Sequence, residues 1–387
     1  MALIYFSKTD GVSDTPLHDP YGSFALEKIR AGDGSFRYNL ANLEKITAKY
    51  ISLAPQLLPA EGGTVRIAVY SFYSPVIYRA IKDVVENNDG INFQIIHDAN
   101  LHREAVYVGI ERYRSEDDMD IGGDVDISSE VLLTRLNELN NVEVKGTVIV
   151  AEEAFDIRSS PFMHHKFITI GNEAVLFGSF NMTIEASKHQ DNNIVIIKSN
   201  LLADEYIKCF DYIWNNRNGA NVVSNRVIEI NDCDDVITAR PLFTTFGDDI
   251  ISFIIEEITG DGVTNCLVAM FTFTRPDVLD AMKTIGTSSI LIDSIQYNMC
   301  AQLDFGEIHK KTISRDSQLS ALYAMHNKFI VIEHNGVWDT VITGSQNATR
   351  TGNTLSDENM VIFRSETMAS QFANRFMDLY EHEADES

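Results

Sequence analysis

Two stretches of the chain carry the same polar residues at nearly the same spacing. In the first, His164 and Lys166 lead the apolar run Phe167-Ile168-Thr169-Ile170, and Gly178-Ser179-Phe180-Asn181-Met182-Thr183 follows. In the second, His326 and Lys328 lead Phe329-Ile330-Val331-Ile332, and Gly344-Ser345-Gln346-Asn347-Ala348-Thr349 follows. At about one in twenty per fixed position, five fixed residues recur by chance in about one of 10⁴ chains this long. The second copy is therefore not accidental. A lone histidine in a strand is most often a packing or surface residue, and it is the doubling that makes this pair a site.

Residues two apart on an extended chain share a face, so His-x-Lys projects an imidazole and an ammonium side by side. Serine and asparagine on the following strand add neutral donors, and glycine lets backbone come close. Two such copies face to face suit a tetrahedral anion, meaning phosphate. Lysines hold non-bridging oxygens through short charge-assisted hydrogen bonds. One histidine can attack phosphorus while the other protonates the leaving oxygen, with positioning and charge stabilisation supplying most of the remainder. The sequence does not say which histidine does which. His165, inside the first motif but on the opposite face, is expected to have no catalytic role.

The doubled pattern resembles the HKD motif of the phospholipase D superfamily, H-x-K-x4-D-x6-G-S-x-N. The resemblance implies a phosphodiesterase that works through a covalent phosphohistidine, with no metal and no cofactor. It implies one half-site from His164, Lys166, Ser179 and Asn181, and another from His326, Lys328, Ser345 and Asn347. The lysines, serines and asparagines would bind the phosphate. Acidic groups just after Gly-Ser-x-Asn would support the histidines: Glu358 fits that place, and Asp191 is the nearest acid in the first copy, where Asn192 stands at the more usual position. Two departures are visible. The motif aspartate is Gly171 in one copy and Glu333 in the other, and the second copy has four extra residues before Gly344.

Around the motifs the chain repeats itself. Ala68-Val69-Tyr70-Ser71-Phe72 is answered by Ala269-Met270-Phe271-Thr272-Phe273, and Pro75, opening a helix, by Pro276. The strand ending at Asp98 is answered by Ser289–Asp293. Asn193–Ser199 and Asn359–Ser365 each precede an amphipathic helix, with Phe210 and Trp214 in one and Phe376 and Tyr380 in the other as core packing. Strands alternating with helices indicate an α/β fold. The expected architecture is two tandem phospholipase D-like α/β/α sandwich domains related by a pseudo-two-fold, sharing one active site, so that a monomer suffices. The domains are expected at 61–217 and 241–387, with an N-terminal extension at 1–60 and a linker at 218–240. An insertion in the first half holds the acidic run Ser115–Asp126. It reads as a solvated loop or a lid over the site, since its partial likeness to an EF-hand fails at Gly122.

The 387 residues include 31 Lys and Arg against 56 Asp and Glu, a formal charge of −25. That balance opposes non-specific binding to nucleic acid and docking on anionic lipid alike. No apolar run is long enough to span a bilayer, and Met1–Lys8 reads as a short strand rather than a secretory signal, so a cytoplasmic protein is expected. Cys209, Cys233, Cys266 and Cys300 lack paired spacing and read as buried thiols. The substrate class favoured is nucleic acid, because the Gly-Ser-Phe-Asn-Met-Thr form resembles the nuclease branch. The alternative is a phospholipase D or phosphatidyl transferase acting on phospholipid, which calls for exposed apolar loops near the site. A third reading, a silent phosphate-binding scaffold, is opposed by the retention of both histidines and both lysines.

Overall fold

The structure is a computed structural model that describes residues 2–7, 39–99, 129–149, 161–218, 226–232, 235–313, 324–383 and 385–386. The acidic run Ser115–Asp126, Cys233 and residues 219–225 of the expected linker lie outside these.

The motif strands are apolar throughout, which suits strands covered on both faces. Lys166–Ile170 is buried along its whole length, with Phe167 in one core and Ile168 and Ile170 in another. It lies inside an eight-stranded mixed sheet. In order across the sheet the strands are Asn39–Ala41, Ala2–Ser7, Asn193–Lys198, Ala174–Gly178, Lys166–Ile170, Gly63–Val69, Ile91–Asp98 and Val142–Thr147. The last three run parallel to one another, and Lys166–Ile170 meets Gly63–Val69 antiparallel.

The second sheet repeats this order over nine strands: Ile228–Asp232, Asp235–Phe243, Asn359–Arg364, Val337–Gly344, Lys328–His334, Val263–Met270, Thr287–Asp293, His309–Ile313 and Asp385–Glu386. The expected α/β organisation as two similar halves is thus observed. The four extra residues of the second copy lengthen its hairpin at the Asn335-Gly336 turn, where both residues have positive φ. They extend the end remote from His326 and leave the motif end in register.

Helices cover the outer face of each sheet. Leu43–Ile51, Pro75–Asn87 and Ser129–Asn137 bury Ile46, Tyr50, Ile77, Ile81 and Leu132 against the first. Pro75 begins its helix in the first turn, and the Ser74 hydroxyl accepts the Ile77 N–H at 3.0 Å as a cap. Ile250–Ile258 and Pro276–Lys283 do the same for the second sheet.

Between the halves lies one shared core, with Phe6, Phe167 and Phe177 from the first meeting Phe329, Phe363 and Phe372 from the second. The helices Asn200–Trp214 and Glu366–Asp378 contribute to it. Their expected aromatic pairs stack in the same way: Phe210 on Trp214 and Phe376 on Tyr380, each with ring centroids 5.4 Å apart. Halves joined through such a core cannot move apart without exposing large apolar surface.

Two segments read from sequence as an extension and a linker are paired into the sheets. Ala2–Ser7 runs antiparallel to Asn193–Lys198. In the equivalent place Asp235–Phe243 runs antiparallel to Asn359–Arg364, and Ile228–Asp232 pairs beyond it. The Asn/Asp-rich composition of 215–240 signals a turn, but it does not reveal that the flanking residues fill the position that the N-terminal strand fills in the other half.

Candidate active site

Each motif strand begins where the chain has just crossed to the other half. Gln190–Asp191 pairs parallel with Ala324–Met325, and Met163 bridges to Asp357. The backbone N–H of His164 donates to the Asp357 carbonyl, and that of His326 to the Asp191 carbonyl, both at 2.9 Å. The segment after Gly-Ser-x-Asn in one half therefore lies beside the histidine of the other. This crossing brings the two half-sites together.

The glycines make the approach possible. A Cβ on Gly178 would stand 2.2 Å from the Asn193 carbonyl oxygen, and one on Gly344 2.2 Å from that of Asn359. Only glycine lets the following serine tuck against the neighbouring strand.

The imidazoles have different partners. His164 Nδ1 lies 2.8 and 2.9 Å from the two carboxylate oxygens of Glu358. His326 Nδ1 lies 2.9 Å from Asn192 Oδ1. The Asn192 amide is oriented by its own bonds, since Nδ2 donates to the Ala186 carbonyl at 3.1 Å and Oδ1 accepts from Ser179 Oγ at 3.0 Å. His326 must therefore donate from Nδ1, and when Glu358 is ionised it assigns His164 the same tautomer. In both rings Nε2 is the nitrogen left with a lone pair.

The lysines sit below the histidines. Lys166 Nζ donates to the His164 carbonyl at 2.8 Å, and Lys328 Nζ to the His326 carbonyl at 3.0 Å while lying 3.3 Å from both nitrogens of that ring. Both ammonium groups are buried. Burial, with smaller opposition from Glu358 and Asp98, pushes Lys166 down to about 7. Burial and then Lys166 hold Lys328 well below its ordinary value. Burial and then both lysines hold His164 well below the usual imidazole range, and His326 is lowered by burial, Lys328, Lys166 and His164. Burial pushes Glu358 up to about 8 against the pull of Lys166. Four basic groups are crowded into one desolvated place, and an entering anion favours the charged form of every one of them.

The remaining expected residues divide into those at the cleft and those behind it. Asn181 is half-buried, and its carbonyl oxygen is buried with no hydrogen-bond partner among the described residues. Asn347 Oδ1 accepts the Thr272 N–H at 3.3 Å. Ser179 and Ser345 are fully buried. Ser345 Oγ donates to Glu358 at 2.5 Å and accepts the Asn359 N–H at 2.9 Å, so each serine hydroxyl is bonded to the residue supporting the opposite histidine. The Asp191 carboxylate pairs with Arg375 of the other half at 3.3 Å, and it is Asn192 that meets His326. Asp357, the counterpart of Asp191, is held bidentately by Arg217. His165 bonds Asn359 and Thr245 across the two halves, at 3.1 and 2.9 Å.

Gly171 and Glu333 lie at the far ends of the motif strands. At roughly 3.3 Å per residue, five residues beyond each lysine is about 17 Å away. Glu333 Oε2 accepts from Thr264 Oγ there. The missing motif aspartate therefore removes nothing from the reacting centre.

Two pairs of site residues were not singled out from sequence. Tyr70 packs on His164 and Phe271 on His326, with ring centroids 4.8 and 4.7 Å apart. Asp98 and Asp293 are buried, and they accept the N–H of Met163 and Met325, the residues just before each histidine, at 2.8 and 2.9 Å. The signal was present, because both pairs stand at equivalent places in the internal repeat.

Comparison with known proteins gives the family. Residues 55–214 and 254–380, most of the chain, match the family model described as "Cardiolipin synthase, PLD-like domain". The chain belongs to this phospholipase D-like family. Over 57 residues it is 37% identical to mitochondrial cardiolipin hydrolase of Xenopus laevis, a match covering 15% of this chain and 27% of that protein. The chain thus spans about a quarter of that relative's length. Among solved structures, phosphatidylserine synthase of Haemophilus influenzae Rd KW20 superposes with a TM-score of 0.55 at 11% identity, covering 88% of this chain and 85% of that one. Polyphosphate kinase from Porphyromonas gingivalis superposes with a TM-score of 0.56 at 9% identity, covering 88% and 46%. At such identities these two show the fold alone. Membership of the family supports a phosphodiesterase- or transferase-type enzyme. Among the described residues no helix is long and apolar enough to cross a membrane.

Proposed function

We propose that the chain cleaves or transfers phosphodiesters through a covalent intermediate on His164, with His326 as general acid and then general base. The observation that carries this is the crossed pairing of the two imidazoles, one with a carboxylate and the other with an amide, above two buried lysines. A carboxylate at Nδ1 stabilises the positive charge that an imidazole gains when Nε2 bonds to phosphorus, and a neutral amide does so less. His164 is accordingly the nucleophile. The bound phosphate favours the charged imidazolium of His326, which then carries a proton on Nε2; His164 Nε2 attacks phosphorus, the bond to the leaving oxygen breaks, and that oxygen takes this proton. Water or an alcohol then returns a proton to His326 Nε2 and attacks phosphorus, and the P–N bond breaks. Lys166, Lys328, Asn181 and Asn347 bind the non-bridging oxygens. Ser179 and Ser345 act through Asn192 and Glu358, and Asp191 through its backbone carbonyl and Arg375.

The substrate class proposed first is nucleic acid, on the likeness of the Gly-Ser-Phe-Asn-Met-Thr form to nucleases. Phospholipid is a second reading with its own observations. Ile295 and Met299, 44% and 55% exposed, follow directly on Asp293 at the edge from which His326 emerges. The matching family and relative also bear cardiolipin names.

Turnover in excess EDTA on labelled single-stranded DNA, duplex DNA, RNA and phosphatidylcholine or cardiolipin vesicles tests both. Wild type should leave acid-labile, base-stable label on His164 after rapid quenching, and Lys166→Met or Lys328→Met should slow turnover by roughly 10²–10³. Headgroup release without nucleic-acid cleavage would decide for phospholipid. Label on His326 would reverse the roles, and no turnover on any substrate would defeat the proposal.

A further inference from the structure

Asp98 and Asp293 stand at the ends of equivalent strands, Ile91–Asp98 and Thr287–Asp293, in the two sheets. Both carboxylates are buried, at 0% and 1% exposure. Each accepts the backbone N–H of the residue that leads into a catalytic histidine, Met163 at 2.8 Å and Met325 at 2.9 Å. Asp293 takes a second N–H, from Ile295, at 2.9 Å on its other oxygen. Burying a carboxylate is costly unless its charge is compensated. The chain nevertheless keeps a carboxylate at this place in both halves, while the motif aspartate is absent from both.

Resting on the reading just given for the site, we propose that Asp98 and Asp293 are positioning residues that fix the two His-x-Lys segments and, by their charge, keep Lys166 and Lys328 protonated for the substrate phosphate. Burial opposes the charge of Lys166, and the groups acting on it, Glu358 and Asp98, favour that charge. Those acting on Lys328 are Glu358 and Asp293 in favour and Lys166 against. Asp293 also feels Asp191 and is pushed up to about 6, chiefly by burial, so it is charged at neutral pH and discharged in acid. Each half-site thus has a carboxylate of its own behind its lysine, whereas Glu358 is common to both. Removing one negative charge makes the ammonium easier to deprotonate, so activity should fail at a lower pH as pH rises.

The test compares wild type with Asp98→Asn and Asp293→Asn, which keep an acceptor for the backbone N–H and lose the charge. Two quantities are followed from pH 5 to 10: kcat/KM on bis(p-nitrophenyl) phosphate, and the dissociation constant of inorganic phosphate by calorimetry. In either variant the alkaline limb of both profiles should move down by about one pH unit, with values on the acid side near wild type. Asp98→Ala, which also removes the acceptor, should lose activity at every pH. Because the two aspartates occupy equivalent positions, either Asn variant alone decides should the other fail to fold. Unmoved limbs in a folded Asn variant, or a uniform loss without a shift, would overturn the role assigned to the charge. Phosphate binding needs no turnover, so it decides this role even where the proposed reaction fails. A wild type that bound no phosphate at any pH would overturn both.

Discussion

The two half-sites are built alike down to the lysine carbonyl bonds, the aromatic wall and the glycine, yet they part at the residue that meets each histidine. Glu358 meets His164 and Asn192 meets His326, each fixed by the serine of its own Gly-Ser pair. On the proposed mechanism a single atom type, carboxylate oxygen against amide, divides the labour between two otherwise equivalent imidazoles. In each case the partner of the histidine comes from the opposite half. A half on its own would therefore hold a histidine with neither its support nor its counterpart.

The comparison would break most visibly at the histidines. His164→Ala removes the proposed nucleophile, and activity should fall by 10⁴-fold or so on every substrate, as follows for loss of a covalent step. His326→Ala should cost roughly 10²–10⁴ on a poor leaving group and far less for the first step on a p-nitrophenyl ester, which leaves without a proton. Burst kinetics on the two esters separate these cases, and equal losses on both would erase the distinction between the rings.

Next in size is Glu358→Gln, which makes the two half-sites chemically alike. A charge-assisted hydrogen bond is worth about 1.5–3 kcal/mol, or roughly ten- to a hundredfold in rate. The loss should appear in the amount of phosphoenzyme formed, and an undiminished label would show that the carboxylate is not what distinguishes His164.

Asn192→Asp sharpens the same contrast from the other side. A carboxylate beside His326 favours its protonated form, so the pKa governing the acid should rise and the alkaline limb of kcat/KM should move up by about one pH unit. The direction is opposite to that expected for the Asp98 and Asp293 variants. A limb that stays in place would mean that His326 is not the group titrating there.

The smallest effect is expected at Glu333. It stands where the family carries the motif aspartate, but at the remote end of its strand, bonded to Thr264. Glu333→Ala should leave kcat/KM within about twofold, as substitutions away from a site generally do. A large loss would show that the motif acid position reaches the centre after all.

Much of the molecule was legible before any coordinates. His164, Lys166, His326 and Lys328 were readable because a motif that occurs twice is its own control, and both copies converge as expected. The apolar strands and their helices were readable from period and punctuation, as with Pro75 and Pro276. Ser179 and Ser345 were found for the right motif but look inward, because their hydroxyls are spent on Asn192 and Glu358. Asp191 was named as a support for its charge, yet its carboxylate turns to Arg375 and only its backbone reaches His326. Sequence neighbours point to opposite sides of an extended segment, and a pattern of residue types does not say which side faces the partner half.

The division between the two sources of information follows from range. Local and repeated features are written in the chain: the doubled His-x-Lys and Gly-Ser-x-Asn, the α/β periodicity, and the kinship of the halves. What depends on contacts between residues far apart in the chain is settled only by the fold. Those contacts set the exchange of support across the halves, the pairing of Ala2–Ser7 and Asp235–Phe243 into equivalent places, and the two aspartates behind the motifs. Burial then set the acidities, because a lysine at about 7 and a glutamate at about 8 are properties of a shared desolvated cleft and not of any residue in it.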